Sequence, residues 1–225
     1  MSRELYAAVS GGSAAWKRMD TVAQNLANMG TDGFRGSRVA FEMYEPEAGL
    51  VRATEPTPDL RDGAVHATGN ALDVALQGRG WLAVDGGDGT FLTRDGRLAV
   101  NESGTLVHAS GGPVLGVAGE INIPPGETVT ITPQGVVVGS ESGEVGRLRL
   151  VDGPAVPMGG SLWKPTGDLA EATPRVIGGA LEGSNVDALG AMVELVQASR
   201  AFEAFQQAIR GSDELDSALN QAGGR

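Results

Sequence analysis

Apolar residues recur at two different periods along the chain. Near the start, Leu5, Val9, Gly12, Trp16, Met19, Ala23 and Leu26 follow one another at steps of 4, 3, 4, 3, 4 and 3. That rhythm lines them along one side of an α-helix. Gly11 and Gly12 fall inside the stripe; each weakens an isolated helix by about 1 kcal/mol relative to Ala, but a side without Cβ atoms lets another backbone come close. Asn28 and Gly30 supply stop signals. A second helix is predicted from Ser184-Asn185, either residue being a suitable cap, to about Leu219. Leu195, Ala198, Phe202, Phe205, Ile209, Ser212, Asp216 and Leu219 share its heptad track, widened early on by Leu189, Val193 and Val196.

Between the helices the period drops towards two. Trp81-Leu82-Ala83-Val84 precedes Asp85-Gly86-Gly87-Asp88-Gly89, and further short apolar runs follow, each closed by Gly, Pro, Asn or Asp. Turn signals about every ten residues describe an antiparallel β domain. Pro46, Pro56 and Pro58 punctuate the stretch before it. The predicted organisation is a terminal helix and following loop over residues 1–40, a connector over 41–62, a β-rich body over 63–183 and a second terminal helix over 184–225. The fold class is α+β, a β-rich antiparallel centre flanked by helices that pair as a coiled coil.

Composition narrows the chemistry. Aromatic residues are only 4% of the 225, so an aliphatic core is expected, and 35 glycines imply many tight turns. The net charge is -11, which disfavours nucleic acid and anionic lipid as partners. The ends differ in sign: five basic against three acidic residues leave 1–40 at +2, and three against seven leave 182–225 at -4. There is no cysteine, so thiolate chemistry and Cys-ligated metals are excluded. His66 and His108 lack the spacing of a helical zinc motif and are expected to be solvated or half-buried. The Asp85–Gly89 run faintly resembles a calcium turn, but a single copy reads as a hairpin loop. No catalytic residue, cofactor, metal or small-molecule substrate is expected. No apolar run is long enough to span a membrane, and the first residues lack the apolar core of a cleaved signal.

Five ordered blocks make the pattern specific. Asn25-Leu26-Ala27-Asn28-Met29-Gly30-Thr31-Asp32-Gly33-Phe34-Arg35 resembles the Asn-Leu-Ala-Asn-x-x-Thr-x-Gly-Phe-(Lys/Arg) signature of flagellar rod and hook proteins. Thr68-Gly69-Asn70-Ala71-Leu72-Asp73-Val74, continuing to Gly80-Trp81, is similar to a second block of that family. Phe91-Leu92-Thr93-Arg94-Asp95-Gly96 and Gly112-Pro113-Val114-Leu115-Gly116 are similar to a third and fourth. Gly179-Ala180-Leu181-Glu182-Gly183-Ser184-Asn185-Val186, followed by Met192-Val193-Glu194-Leu195 and Arg200-Ala201-Phe202-Glu203, is similar to the last. Gln24, Trp81 and Phe205 stand where other residues are commoner in the family.

The resemblance implies a structural, non-enzymatic subunit of the flagellar basal body. It implies export through the flagellar type III apparatus without a cleaved signal, and assembly in the periplasmic rod with itself and with other rod subunits. The short length and the Gly-Phe-Arg and Gly-Ala-Leu-Glu-Gly-Ser-Asn-Val wording favour the F-type, proximal-rod branch over the distal-rod branch. The expected assembly interface comprises Leu5, Val9, Gly12, Trp16, Met19, Ala23, Asn25, Leu26, Asn28, Thr31, Gly33 and Phe34 at one end. At the other it comprises Val193, Val196, Arg200, Phe202, Phe205 and Ile209. Two rivals make different demands: a secreted adhesive or carbohydrate-binding β protein with helical arms predicts a stable, fully folded monomer and sugar binding at Trp81 or Trp163, and a small glycine-rich hydrolase predicts a pocket holding converging polar groups.

Overall fold

A computed structural model describes residues 3–45 and 49–223. The chain separates into two units. The helical unit holds the described residues up to Met29, Gly36–Asp59 and those from Val186 on; the β body holds Gly30–Arg35 and Leu60–Asn185.

Helix α1 spans Arg3–Ala27 and α2 spans Ala188–Gly223. α1 ends where the Asn28 backbone and side-chain amides both donate to the Gln24 carbonyl, at 3.2 and 2.9 Å. α2 starts later than the sequence predicts. Asp187, not Ser184 or Asn185, caps it: its Oδ1 accepts from Leu189 N at 3.2 Å, and its carbonyl accepts from Ala191 N at 2.8 Å. Asn185 is occupied in the β body, where its side-chain amide donates to the Arg61 carbonyl. The predicted connector carries regular structure despite its prolines. Phe41–Glu45 pairs with Leu50–Ala53, a hairpin that Pro56 and Pro58 lie beyond, and Ser37–Arg38 pairs with Thr57–Pro58. Lys17 to Glu55 (2.6 Å) and Ser10 Oγ to Val51 N (3.3 Å) hold this segment on α1.

The β body is antiparallel throughout. Its largest sheet runs in the order Ala155–Gly159, Leu162–Pro165, Thr90–Thr93, Trp81–Asp85, Leu150–Asp152, Ala170–Glu171. The period-two pattern sorts its side chains: Trp81 and Ala83 join Leu92, Val151 and Trp163 in one buried cluster, while Leu82 joins an aliphatic cluster with Val74, Leu106, Val137 and Leu148. The larger cluster is aliphatic, as composition suggests. The smaller is built on Trp81 and Trp163, with ring centroids 4.9 Å apart and planes tilted by 40°. Both rings are buried, so neither offers the open face that the carbohydrate-binding reading requires. Asp85–Gly89 is a hairpin loop closed by Gly86 N to Gly89 O at 2.9 Å.

Candidate assembly interface

The α1 stripe predicted from the sequence divides between two faces. Within the helical unit α1 packs on α2 through its smallest residues. Gly11, Gly12, Ala14, Ala15 and Val22 are buried, and so is Ala198 on α2. The Phe205 ring occupies the space above the glycines: a Cβ on Gly11 would lie 2.4 Å from Phe205 Cε1, and one on Gly12 3.4 Å from Phe205 Cβ. The glycines thus act as a seat for an aromatic ring, which explains their place inside a helix despite low propensity. Arg18 reaches Glu194 across the pair at 3.7 Å. Leu5, Met19, Leu26, Phe202, Phe205 and Ile209 are half-buried. A slot of about 250 Å³, bounded by Ala14, Arg18, Phe41, Ala201 and Phe205, remains open beside the ring.

The rest of the stripe faces outward. Val9 and Trp16 (53% exposed) are uncovered, as is Ala23. On α2 the uncovered residues are Val193 (51%) and Val196, with Arg200 beside them. Three further large apolar residues of α1 and α2 are exposed beyond the expected interface: Tyr6, Leu189 and Met192. The spacing of Leu189, Met192, Val193 and Val196 is i, i+3, i+4 and i+7, so the signal for a single face of α2 was present. Asp216 and Leu219, which close the predicted track, lie outside the described side chains.

The signature segment is held inside the chain. Asn25 grips the main chain of Ser37 in both directions: its Nδ2 donates to Ser37 O at 2.7 Å and its Oδ1 accepts from Ser37 N at 2.8 Å. Thr31 O accepts from Phe34 N, closing a turn, and Phe34 O accepts from Asn185 N at 3.3 Å. Phe34 is half-buried. Gly33 has φ +68°, and a Cβ there would lie 2.2 Å from Asp95 N, so both backbone angle and space demand glycine. Its N–H donates to Glu182 O at 2.7 Å.

Three of the family-like blocks meet at one buried ion cluster that the sequence reading passed over. Glu182 from the last block is fully buried, Arg35 from the first is 1% exposed and Arg94 from the third is 4% exposed. Arg35 lies 2.7 Å from Glu182 Oε1, and Arg94 lies 3.2 Å from Oε2. Gly63 N donates to Glu182 Oε1 at 2.8 Å, and Asp62 adds a second carboxylate 3.3 Å from Arg35 and 3.6 Å from Arg94. Arg94 also donates to the carbonyls of Leu76 and Gly78 and lies over the Trp81 ring. Burial lowers the pKa of the Arg94 guanidinium, and Glu182 works in the opposite direction. Beside this cluster, Asp95 pairs with Arg97 at 2.6 Å and lies 3.4 Å from His108 Nε2. Burial opposes ionisation of Asp95, but His108 and Arg97 outweigh it and hold the carboxyl well below the usual carboxylate range. His108 is buried rather than solvated or half-buried. Its Nδ1 accepts from Ser110 N at 3.1 Å, and its Nε2 is on the side of Asp95.

Comparison with known proteins gives consistent matches. Residues 5–35 match the family described as flagella basal body rod protein. Residues 75–139 match the flagellar hook protein FlgE/F/G D1 domain, and residues 177–222 the flagellar basal body rod FlgEFG protein C-terminal domain. The flagellar basal-body rod protein FlgF of Escherichia coli K12 is 34% identical, over 98% of each chain. That of Rhizobium meliloti is 33% identical, over 100% of this chain and 99% of its own. The rod protein FlgG of Bacillus subtilis is 28% identical, over 96% of this chain and 97% of its own.

Proposed function

Because the chain belongs to the flagellar basal-body rod protein family, and is a structural rod subunit, we propose that it takes the proximal, F-type place and polymerises through the uncovered faces of α1 and α2. The F-type reading is favoured by the higher identity to the FlgF proteins, at 34 and 33%, than to the FlgG protein, at 28%. The distal place is the alternative. The subunit is exported by the flagellar type III apparatus with its N-terminus kept, and it meets itself and other rod subunits in the periplasm. Its action is mechanical, transmitting torque without catalysis.

The observation that carries this reading is the row of uncovered apolar residues on helices that already pack together within one chain. Tyr6, Val9, Trp16, Leu189, Met192, Val193 and Val196 each keep about half or more of their surface open. Covering that remainder is worth about 5–10 kcal/mol. Docking one rigid partner costs about 4–15 kcal/mol of lost freedom. A single neighbour therefore holds weakly, and several hold well, which favours a tube over a dimer. In the assembled rod the paired helices extend into a coiled coil with those of neighbours, and the slot beside Phe205 accepts an apolar side chain from outside.

Val193→Asp tests this. The exposed site leaves the monomer fold unchanged, so far-ultraviolet dichroism and Tm should match the parent. Incorporation into isolated basal bodies and swimming should both be lost. Normal motility with this variant refutes the interface.

A further inference from the structure

The β body has its own charge asymmetry, separate from the helices. A groove of about 1010 Å³ has Leu148, Leu150 and Pro174 in its lining and carries Arg147, Arg149 and Arg175. Strand alternation produces it: Leu148 and Leu150 enter the core, so Arg147 and Arg149 stand out towards solvent. Among the described residues none of these three arginines makes an ion pair, and Glu171 is the one acid in the lining. Three unpaired guanidiniums are conspicuous on a chain of net charge -11.

The complementary feature is the turn of the hairpin that leads into this groove. Val136–Gly139 pairs with Gly143–Arg147, and the turn between them carries Glu141, with Glu144 just after it. Glu127 joins them, its Oε2 accepting from Ser142 Oγ at 2.7 Å. The tip is thus acidic, while Arg147 stands at the other end of the same strand, about 15 Å away. The hairpin is part of a sheet and cannot fold back, so tip and groove of one molecule cannot neutralise each other.

We propose that the acidic tip around Glu127, Glu141 and Glu144 docks into the Arg147–Arg149–Arg175 groove of a second copy of this chain. Surfaces at opposite ends of one rigid hairpin make a head-to-tail contact, which propagates instead of closing on itself. The β bodies then form rows of their own, in addition to any helix contacts.

The chain has no cysteine, so thiols introduced by Ser140→Cys and Thr173→Cys report this contact alone. Mild oxidation of the double variant should give a ladder of trimers and longer species. Raising salt from about 0.1 M to about 1 M shortens the screening length from about 10 to about 3 Å and should suppress the ladder. General repulsion between two acidic chains would respond in the opposite sense. Adding Arg147→Glu with Arg149→Glu, or Glu141→Lys with Glu144→Lys, should reduce the ladder roughly tenfold or more. Mixing the two charge-reversed chains should restore it. The milder Arg147→Gln with Arg149→Gln should give an intermediate loss, which guards against a folding defect. A parent chain without a ladder, a ladder that stops at dimers, or one indifferent to either reversal overturns the proposal. The Val193→Asp test of the helices is scored independently.

Discussion

Replacing Glu182 by Gln keeps the shape of the side chain and removes its charge. In the parent, one fully buried carboxylate faces two guanidiniums that are 1% and 4% exposed, and it also accepts from Gly63 N. After the change the arginines face each other with Asp62 as the remaining acid, and Asp62 is 37% exposed. Removing one member of a buried ion pair costs about 3–5 kcal/mol, because the charge left behind is neither solvated nor matched. Partial compensation by Asp62 favours the lower end of that range. The β body has about 130 residues, for which each kcal/mol lowers Tm by about 3–5 °C. Glu182→Gln should therefore lower the melting transition by about 10–15 °C. The assay is thermal unfolding followed by near-ultraviolet dichroism, where the tilted Trp81–Trp163 pair reports on the β body specifically. Asp62→Asn should give a clearly smaller drop. A Tm within about 3 °C of the parent for Glu182→Gln would show that the cluster is not a closed electrostatic unit, and would refute the reasoning.

Other consequences are equally direct. Asp95 is held well below the usual carboxylate range. Below about pH 4 the unfolded chain gains a proton there that the folded chain resists, so stability should fall as acid is added. Urea midpoints of Asp95→Asn between about pH 2 and 4 should show a shallower fall than those of the parent, and parallel curves would contradict this. Gly11→Ala gains about 1 kcal/mol of helix propensity, yet its Cβ would strike the Phe205 ring at 2.4 Å. Net destabilisation of about 1–2 kcal/mol is expected, reversed when Phe205→Leu is added, as read from helix-unit unfolding by far-ultraviolet dichroism. Gly33→Ala combines a positive φ with a Cβ 2.2 Å from Asp95 N and should cost about 2–4 kcal/mol in the same near-ultraviolet melt. An unchanged Tm would mean the turn relaxes freely.

The elements most visible in the sequence are those specified by local periodicity. The 3–4 rhythm of Leu5 to Leu26 predicts a helix, and α1 covers that run. The rhythm does not say which part of a broad stripe turns inward. The seat for Phe205 moved the packed face towards Gly11 and Ala15, leaving Val9 and Trp16 outside. The hairpin over Phe41–Glu45 and Leu50–Ala53 escaped notice because flanking prolines masked two short runs with no buried position in the first. The ion cluster was illegible for a different reason. Glu182 and Arg94 are 88 positions apart, and nothing beside a charged residue in sequence tells a buried partner from a solvated one. The order of the family-like blocks was the clue, since each of three blocks contributes one charged side chain to the same interior point.

That interior point also imposes a timetable. The six residues from Gly30 to Arg35 belong to the β body, while the segments before and after them belong to the helical unit. Their fastening, through Gly33 N and Arg35 to Glu182, needs a strand made near the far end of the chain. The entropy of closing so long a loop must be met before the contact gives any return. A chain emerging N-terminus first would thus remain unlatched for most of its length and snap shut only once the Ala180–Glu182 strand has followed.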